Sequence, residues 1–196
     1  MIKILAVLIF ISSNIFAITL EEMNQYIKDA LHPTNKQLLI CEREAEYIKK
    51  NPQECLKTAE MLLADKKNAT DKTTLRFDYF GLTSNEAKVL TPDMYNQTDK
   101  EYIDDSIAGA YGNAGVIYSA LKEDSMEVKM YQKSLEYEPN NKYTNYNLAI
   151  KYYNGQGIKS NKIKAYECFR IAAKQGDESA QLMLDILCGE SPWACK

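Results

Sequence analysis

The sequence predicts an all-α fold in which antiparallel helical hairpins stack into a right-handed superhelix. Related positions recur after 34 and then 36 residues in the second half of the chain. Such periods are typical of stacked helical hairpins, because no single hairpin can bury its apolar face alone. Apolar residues also recur three and four positions apart, as on one face of a helix. No segment shows the sustained alternation that is typical of a β-strand.

The chain starts with a pattern typical of a secretory signal peptide. Lys3 precedes an eight-residue apolar run over residues 4–11, and a Ser-Ser-Asn break at 12–14 ends it. A membrane span would need about 20 apolar residues, so we expect a cleaved signal peptide over residues 1–17, with the cut after Ala17. A preference for Lys over Arg, 21 to 3, favours a bacterial source. We therefore expect a periplasmic or secreted protein.

The region 18–98 reads as an N-terminal helical region, either a degenerate repeat followed by a linker or a separate unit. An amphipathic pattern with a capping box predicts a helix over 19–31. Two further helices are expected over 38–50 and 54–66, joined by an Asn-Pro turn whose proline suits a first helical turn. Residues 67–98 are weakly periodic, and we expect one or two short helices there.

The region 99–188 carries the repeat, and residues 189–196 form a short tail. Tyr111, Gly115 and Tyr118 share one helical face, at positions four and then three residues apart. Ala149 follows Gly115 by 34 residues, and Asp185 follows Ala149 by a further 36. These positions predict two complete hairpins followed by one more helix.

The two hairpins resemble known repeat families. Gly115, Tyr118 and the stretch 133–140, in which a proline ends the second helix, resemble a tetratricopeptide repeat. The next unit resembles the SEL-one-like repeat more closely, through residues 147–158, with a Gly-x-Gly loop, and residues 164–180. The resemblance covers residues 108–188 and implies packing roles for a set of small and aromatic residues. They are Tyr111, Gly115, Tyr118, Tyr131, Ala149, Tyr152, Gly155, Gly157, Ala165, Phe169, Ala172 and Gly176.

Two charged residues are among the departures from the repeat pattern, as are Cys168 and Cys188 at positions that are usually aromatic. Glu127 stands where the first hairpin should carry a small alanine, so we expect that hairpin to be looser or shifted in register. Asp185 stands where the third helix should carry a glycine. A charged residue there predicts that no second helix packs on residues 178–188, which would make them a terminal capping helix.

The resemblance implies a non-enzymatic scaffold whose concave surface is lined by the first helix of each hairpin. Tyrosine suits an interface because it offers a large contact area and a hydroxyl group. The alternative is that these side chains pack against neighbouring helices. The matching face of the preceding hairpin, within residues 109–120, has small residues. The candidate partner-binding residues of the second hairpin are Tyr143, Tyr146, Ile150, Tyr153 and Asn154.

Five cysteines point to disulfides, because an exported protein folds under oxidising conditions. They are Cys41, Cys55, Cys168, Cys188 and Cys195. We expect a Cys188–Cys195 disulfide, since the glycine and proline between them let the tail turn back and tie down Trp193. For Cys41 and Cys55, straight helices on either side of the turn would leave an offset of about 10 Å. A disulfide needs Cα atoms about 4.4–6.8 Å apart, so this pair is expected only if the first helix ends early.

Residues for catalysis or metal binding are scarce. The chain has a single histidine, His32, at a predicted helix end, and a net charge of −3, which does not favour nucleic-acid binding. Ser119 and Lys122 fit a Ser-x-x-Lys pattern but lack its companion motifs. We expect no cofactor, no metal site and no integral membrane span. The leading hypothesis is an exported scaffold that binds a protein or peptide in the cell envelope. The alternatives are a penicillin-binding or penicillin-hydrolysing envelope enzyme and a secreted host-interaction effector.

Overall fold

A computed structural model describes residues 37, 41, 45–77, 83–90 and 95–195. Within these ranges all regular structure is helical and no β-strand occurs, which confirms the predicted all-α repeat architecture. The expected signal peptide over 1–17, the helix over 19–31 and His32 lie outside them. The helices are α1 (Ala45–Lys50), α2 (Pro52–Lys67), α3 (Ser84–Leu90), α4 (Asp99–Ala120), α5 (Asp124–Tyr137), α6 (Lys142–Asn154), α7 (Lys162–Lys174) and α8 (Glu178–Glu190), followed by a 3₁₀ turn (Pro192–Cys195).

The first helices pack on the repeat array through α4. Ile48 of α1 and Ala59 of α2 share one apolar cluster with Ala114 and Ile117 of α4. α2 begins at Pro52, two residues before the expected start, because the N–H that proline lacks would have no intrahelical partner in a first helical turn. The N-terminal helical region is therefore in direct contact with the first hairpin.

The structure joins Cys41 to Cys55 in a disulfide. The offset of about 10 Å that was expected between these two residues is therefore wrong. The two Cα atoms lie 5.3 Å apart and the sulfur atoms 2.08 Å apart. The expectation assumed straight helices on either side of the Asn-Pro turn, and the observed Cα separation of 5.3 Å does not fit that geometry.

The first hairpin consists of α4 and α5. α4 begins after a capping box, in which the Thr98 hydroxyl and the Glu101 side chain each bind the other residue's backbone N–H. Gly115 lies against the ring of Tyr131, and a Cβ atom added there would be 2.4 Å from Tyr131 Cε1. A glycine at this position is what allows the two helices to approach so closely.

The second hairpin consists of α6 and α7. α6 ends at Asn154 and is capped by Gly155, which adopts a left-handed conformation with φ +72°. Gly157 also has a positive φ, +70°, and lies directly on the backbone of Asp124, the first residue of α5, next to the α4–α5 turn. The loop of the second hairpin therefore touches the turn between α4 and α5. Between the helices, Ala149 and Phe169 are fully buried in the largest apolar cluster.

The last helix, α8, completes this cluster with Leu184 and Leu187. Cys188 and Cys195 lie at disulfide distance, with sulfur atoms 2.04 Å apart, as expected from the sequence. The expectation that the tail ties down Trp193 is wrong, because Trp193 is 60% exposed and the neighbouring Ala194 is buried instead. The bond holds the 3₁₀ turn on α8 and presents the tryptophan to solvent.

Candidate protein-interaction surface

The expected binding face of α6 is exposed at its N-terminal end. Tyr143 is 61% exposed, and the Nζ atom of Lys142 lies 4.9 Å from the centre of its ring. A lysine over a tyrosine ring is a cation–π contact, which restricts the ring without burying it. The ring of Tyr143 therefore presents a large aromatic surface, restricted in its motion by Lys142, that a partner can cover.

The middle of the same face packs inside the hairpin. The ring of Tyr146 meets Phe169 of α7 edge-on, with centroids 5.8 Å apart, and Ile150 packs against the same cluster. Both side chains are half-buried. For Tyr146 and Ile150, the alternative that these side chains pack against neighbouring helices therefore holds in part.

The C-terminal end of the face is held by polar contacts. The hydroxyl of Tyr153 donates a hydrogen bond to Glu190 of α8, and this bond raises the pKa of Tyr153. The Nζ atom of Lys162 lies 3.2 Å from the centre of the Tyr153 ring. Asn154 is exposed. The five predicted residues therefore form two accessible ends separated by a half-buried centre.

A cavity of about 290 Å³ opens beside Tyr143. Asp105 of α4 and Glu138, which follows α5, place carboxyl groups in it, together with amide side chains of the α5–α6 loop. Burial raises the pKa of both carboxyl groups, and the negative charge of Asp105 adds to the effect on Glu138. Asn141 donates a hydrogen bond of 2.7 Å to Glu138. The cavity offers hydrogen-bond acceptors next to an aromatic ring.

The matching face of α4 is not an open groove. Gly109 is buried, and Gly112 lies close to the Thr144 and Ser134 hydroxyls, at 3.5 and 3.7 Å from an added Cβ. Ala120 packs against the cluster formed with α1 and α2. The small residues on this face of α4 therefore serve largely to bring helices together.

Most of the residues predicted to pack the repeat are buried, whereas the glycines of the loops are exposed. Eight of them are buried and Tyr118 is half-buried, while the three remaining glycines adopt positive φ angles. The buried residues are Tyr111, Gly115, Tyr131, Ala149, Tyr152, Ala165, Phe169 and Ala172, and the glycines with positive φ are Gly155, Gly157 and Gly176.

A buried charge cluster connects the two hairpins, and sequence reasoning missed it. Lys151 Nζ lies 2.6 Å from Glu127 Oε2 and 2.8 Å from Asp124 Oδ1. Burial lowers the pKa of Lys151, but the hydrogen bonds to both carboxylates outweigh this, so the pKa is raised overall. Glu127 is only 2% exposed, and its buried charge is compensated by the ion pair with Lys151. Contrary to the expectation from the sequence, Glu127 therefore does not loosen the first hairpin.

The Ser-x-x-Lys pattern lies at the surface of the first hairpin. Ser119 is exposed on α4, and Lys122 is exposed in the turn after it. Among the described residues, no group of three or more His, Cys, Asp or Glu side chains is arranged to hold a metal ion. Over the same ranges, every helix is too short or too polar to cross a bilayer.

The fold and this surface define a helical-repeat protein of stacked hairpins. Residues 143–177, which include α6, α7 and the glycine loop between them, match the family model of the Sel1 repeat. The chain thus contains a Sel1 repeat at these residues, in agreement with the SEL-one-like resemblance of this part of its sequence. Sel1 repeats commonly serve as protein-interaction scaffolds. No significant match was found among curated proteins or among solved structures.

Proposed function

We propose that this chain is an exported, non-enzymatic scaffold that binds a protein or peptide partner in the bacterial cell envelope. The observation that carries the proposal is the exposed ring of Tyr143 beside the cavity of Asp105 and Glu138. A tyrosine ring supplies contact area, and neighbouring carboxylates accept hydrogen bonds from the amides or cationic groups of a partner. Asn154 and the accessible edges of Tyr146, Ile150 and Tyr153 extend the same face.

Photo-crosslinking from this face tests the proposal in the full-length chain. A photoreactive phenylalanine analogue at position 143 should give a specific adduct in envelope extracts. The same analogue at Ile163, an exposed apolar position on α7, is the matched control. Excess unlabelled protein should suppress the adduct, whereas excess Tyr143→Ala should not. Identical adducts from both positions, or none from position 143, would contradict the proposed surface.

The envelope location is supported by the leader-like N-terminus and by two cysteine pairs at disulfide distance. Disulfides persist in oxidising compartments and are rare in the cytosol. Fractionation followed by non-reducing peptide mapping tests it. We expect a mature N-terminus near residue 18 and a linked peptide containing Cys188 and Cys195. A cytosolic protein with an intact Met1 and reduced thiols would contradict export.

A further inference from the structure

We propose that α8 carries a second docking surface, which binds an amphipathic α-helix of a partner protein with basic residues along one edge. The surface consists of Leu182 and Ile186, flanked on one side by Glu178 and Asp185, and is called the α8 face below. Residues four and seven positions apart lie on the same side of a helix. The α8 face is on a different helix from Tyr143, so it stands independently of the proposed function.

The α8 face is apolar and open. Leu182 is 61% exposed and Ile186 40%, while Ala180, Leu184 and Leu187 on the opposite side are buried. The helix that ends a repeat array normally has a polar outer face, because a solvated apolar face lowers solubility. Two large aliphatic side chains on adjacent turns do not fit that role. The expectation that α8 simply caps the array therefore leaves this side of the helix unexplained.

The second hairpin shows what packs on such a face. At the 36-residue offset of the repeat, Leu182 matches Tyr146 and Ile186 matches Ile150. In α6, the ring of Tyr146 packs edge-on against Phe169 of α7, and Ile150 packs against the apolar cluster that contains Phe169. The α8 face is thus the place where the second helix of a hairpin packs on the first. The occupant that fits it is another α-helix.

The charge on α8 defines the chemistry of that helix. Ala149 of α6 is fully buried, whereas its counterpart Asp185 is exposed and accepts a hydrogen bond from Gln181. Glu178 lies seven residues before Asp185, on the same edge. A helix seated on Leu182 and Ile186 would run along these two carboxylates. Lysine or arginine at positions seven residues apart would satisfy both, whereas acidic residues there would be repelled.

A second copy of this chain fits the surface less well. If two α8 helices paired antiparallel about a two-fold axis, the same edge of each copy would meet. Glu178 and Asp185 of one copy would then face the same carboxylates of the other. Like charges at such spacing oppose pairing. The acidic edge therefore favours a basic partner helix over self-association.

Two synthetic peptides of about 18 residues, long enough to form a helix, test the proposal against the full chain. Both carry the same leucine stripe and differ only at two edge positions, seven residues apart, which are lysine in one and glutamate in the other. By fluorescence anisotropy, the lysine peptide should bind about tenfold more tightly. Asp185→Lys should remove or reverse this preference. Leu182→Gln should abolish binding of both peptides.

Ile163→Gln provides the control, because it also replaces an exposed aliphatic residue but lies on α7. It should leave both affinities unchanged, and circular dichroism should show equal helicity for all variants. Equal affinity for the two peptides, or binding that survives Leu182→Gln, would overturn the proposal. A dimer detected by light scattering and lost in Leu182→Gln would assign the face to a second copy, which would also overturn it.

Discussion

Replacing Gly157 with alanine should destabilise the protein more than any comparable glycine substitution in the second hairpin. Its φ of +70° is a conformation that costs an L-residue about 1–2 kcal/mol. The new Cβ would also lie 2.3 Å from the backbone carbonyl atoms of Asp124. Because those atoms cannot move by a change of rotamer, the loop or the α4–α5 turn must shift, at about 1–3 kcal/mol for overpacking. Together the two effects amount to about 2–5 kcal/mol.

Gly176→Ala separates the two effects. Gly176 has a similar φ, +83°, but no atom lies within 4 Å of an added Cβ, so only the conformational cost of about 1–2 kcal/mol applies. Gly155→Ala should fall between them, because its Cβ would lie 3.2 Å from Ser160 Cβ. Urea denaturation followed by circular dichroism gives the three free energies of unfolding. If Gly176→Ala costs as much as Gly157→Ala, the contact with Asp124 carries no energy and the reasoning fails.

Three further predictions concern buried polar groups. Lys151→Met should lower the free energy of unfolding by about 3–5 kcal/mol, because it leaves Glu127 buried without its charge partner. In a double-mutant cycle, adding Glu127→Ala should recover part of that loss. Additive effects of the two substitutions would refute the coupling. Burial raises the pKa of Cys168 to about 11, so mass spectrometry should show slow alkylation at neutral pH that accelerates on unfolding, whereas equal rates would contradict the burial. Burial and the charge of Glu127 raise the pKa of Tyr131; since an unfolded tyrosine ionises at about pH 10, folding stability should fall as pH rises above that value, and less steeply in Tyr131→Phe. An equal slope in both proteins would show that Tyr131 contributes nothing.

The repeat could be predicted from the sequence because its packing is local and periodic. Gly115 and Ala149 mark the positions where paired helices come closest, and Gly155 and Gly157 mark a loop that needs positive φ angles. The candidate surface was harder to predict. Spacing places Tyr143 and Tyr146 on one face of α6, but it does not show that α7 covers part of that face.

Contacts between distant residues were not predicted, although one of them left a signal. Glu127 occupies a position that should be small, and Lys151 lies on the buried stripe of α6, three residues after Leu148. Each charged residue alone is only a departure from the repeat pattern. Two opposite charges on the buried faces of neighbouring helices, however, indicate an ion pair. The Cys41–Cys55 bond left no such signal, because residue spacing along straight helices places the two Cα atoms about 10 Å apart.

The two cysteine pairs lie at opposite ends of the described array. One holds the region around α1 and α2, which packs on α4, and the other holds the tail on α8. The outermost units of a repeat array have a neighbour on one side only, and element ends open most readily. The central hairpins rely on close helix contacts and the Lys151 ion pair. Reduction should therefore loosen the array from its ends inward, so the redox state of the surroundings sets how many helices stay folded.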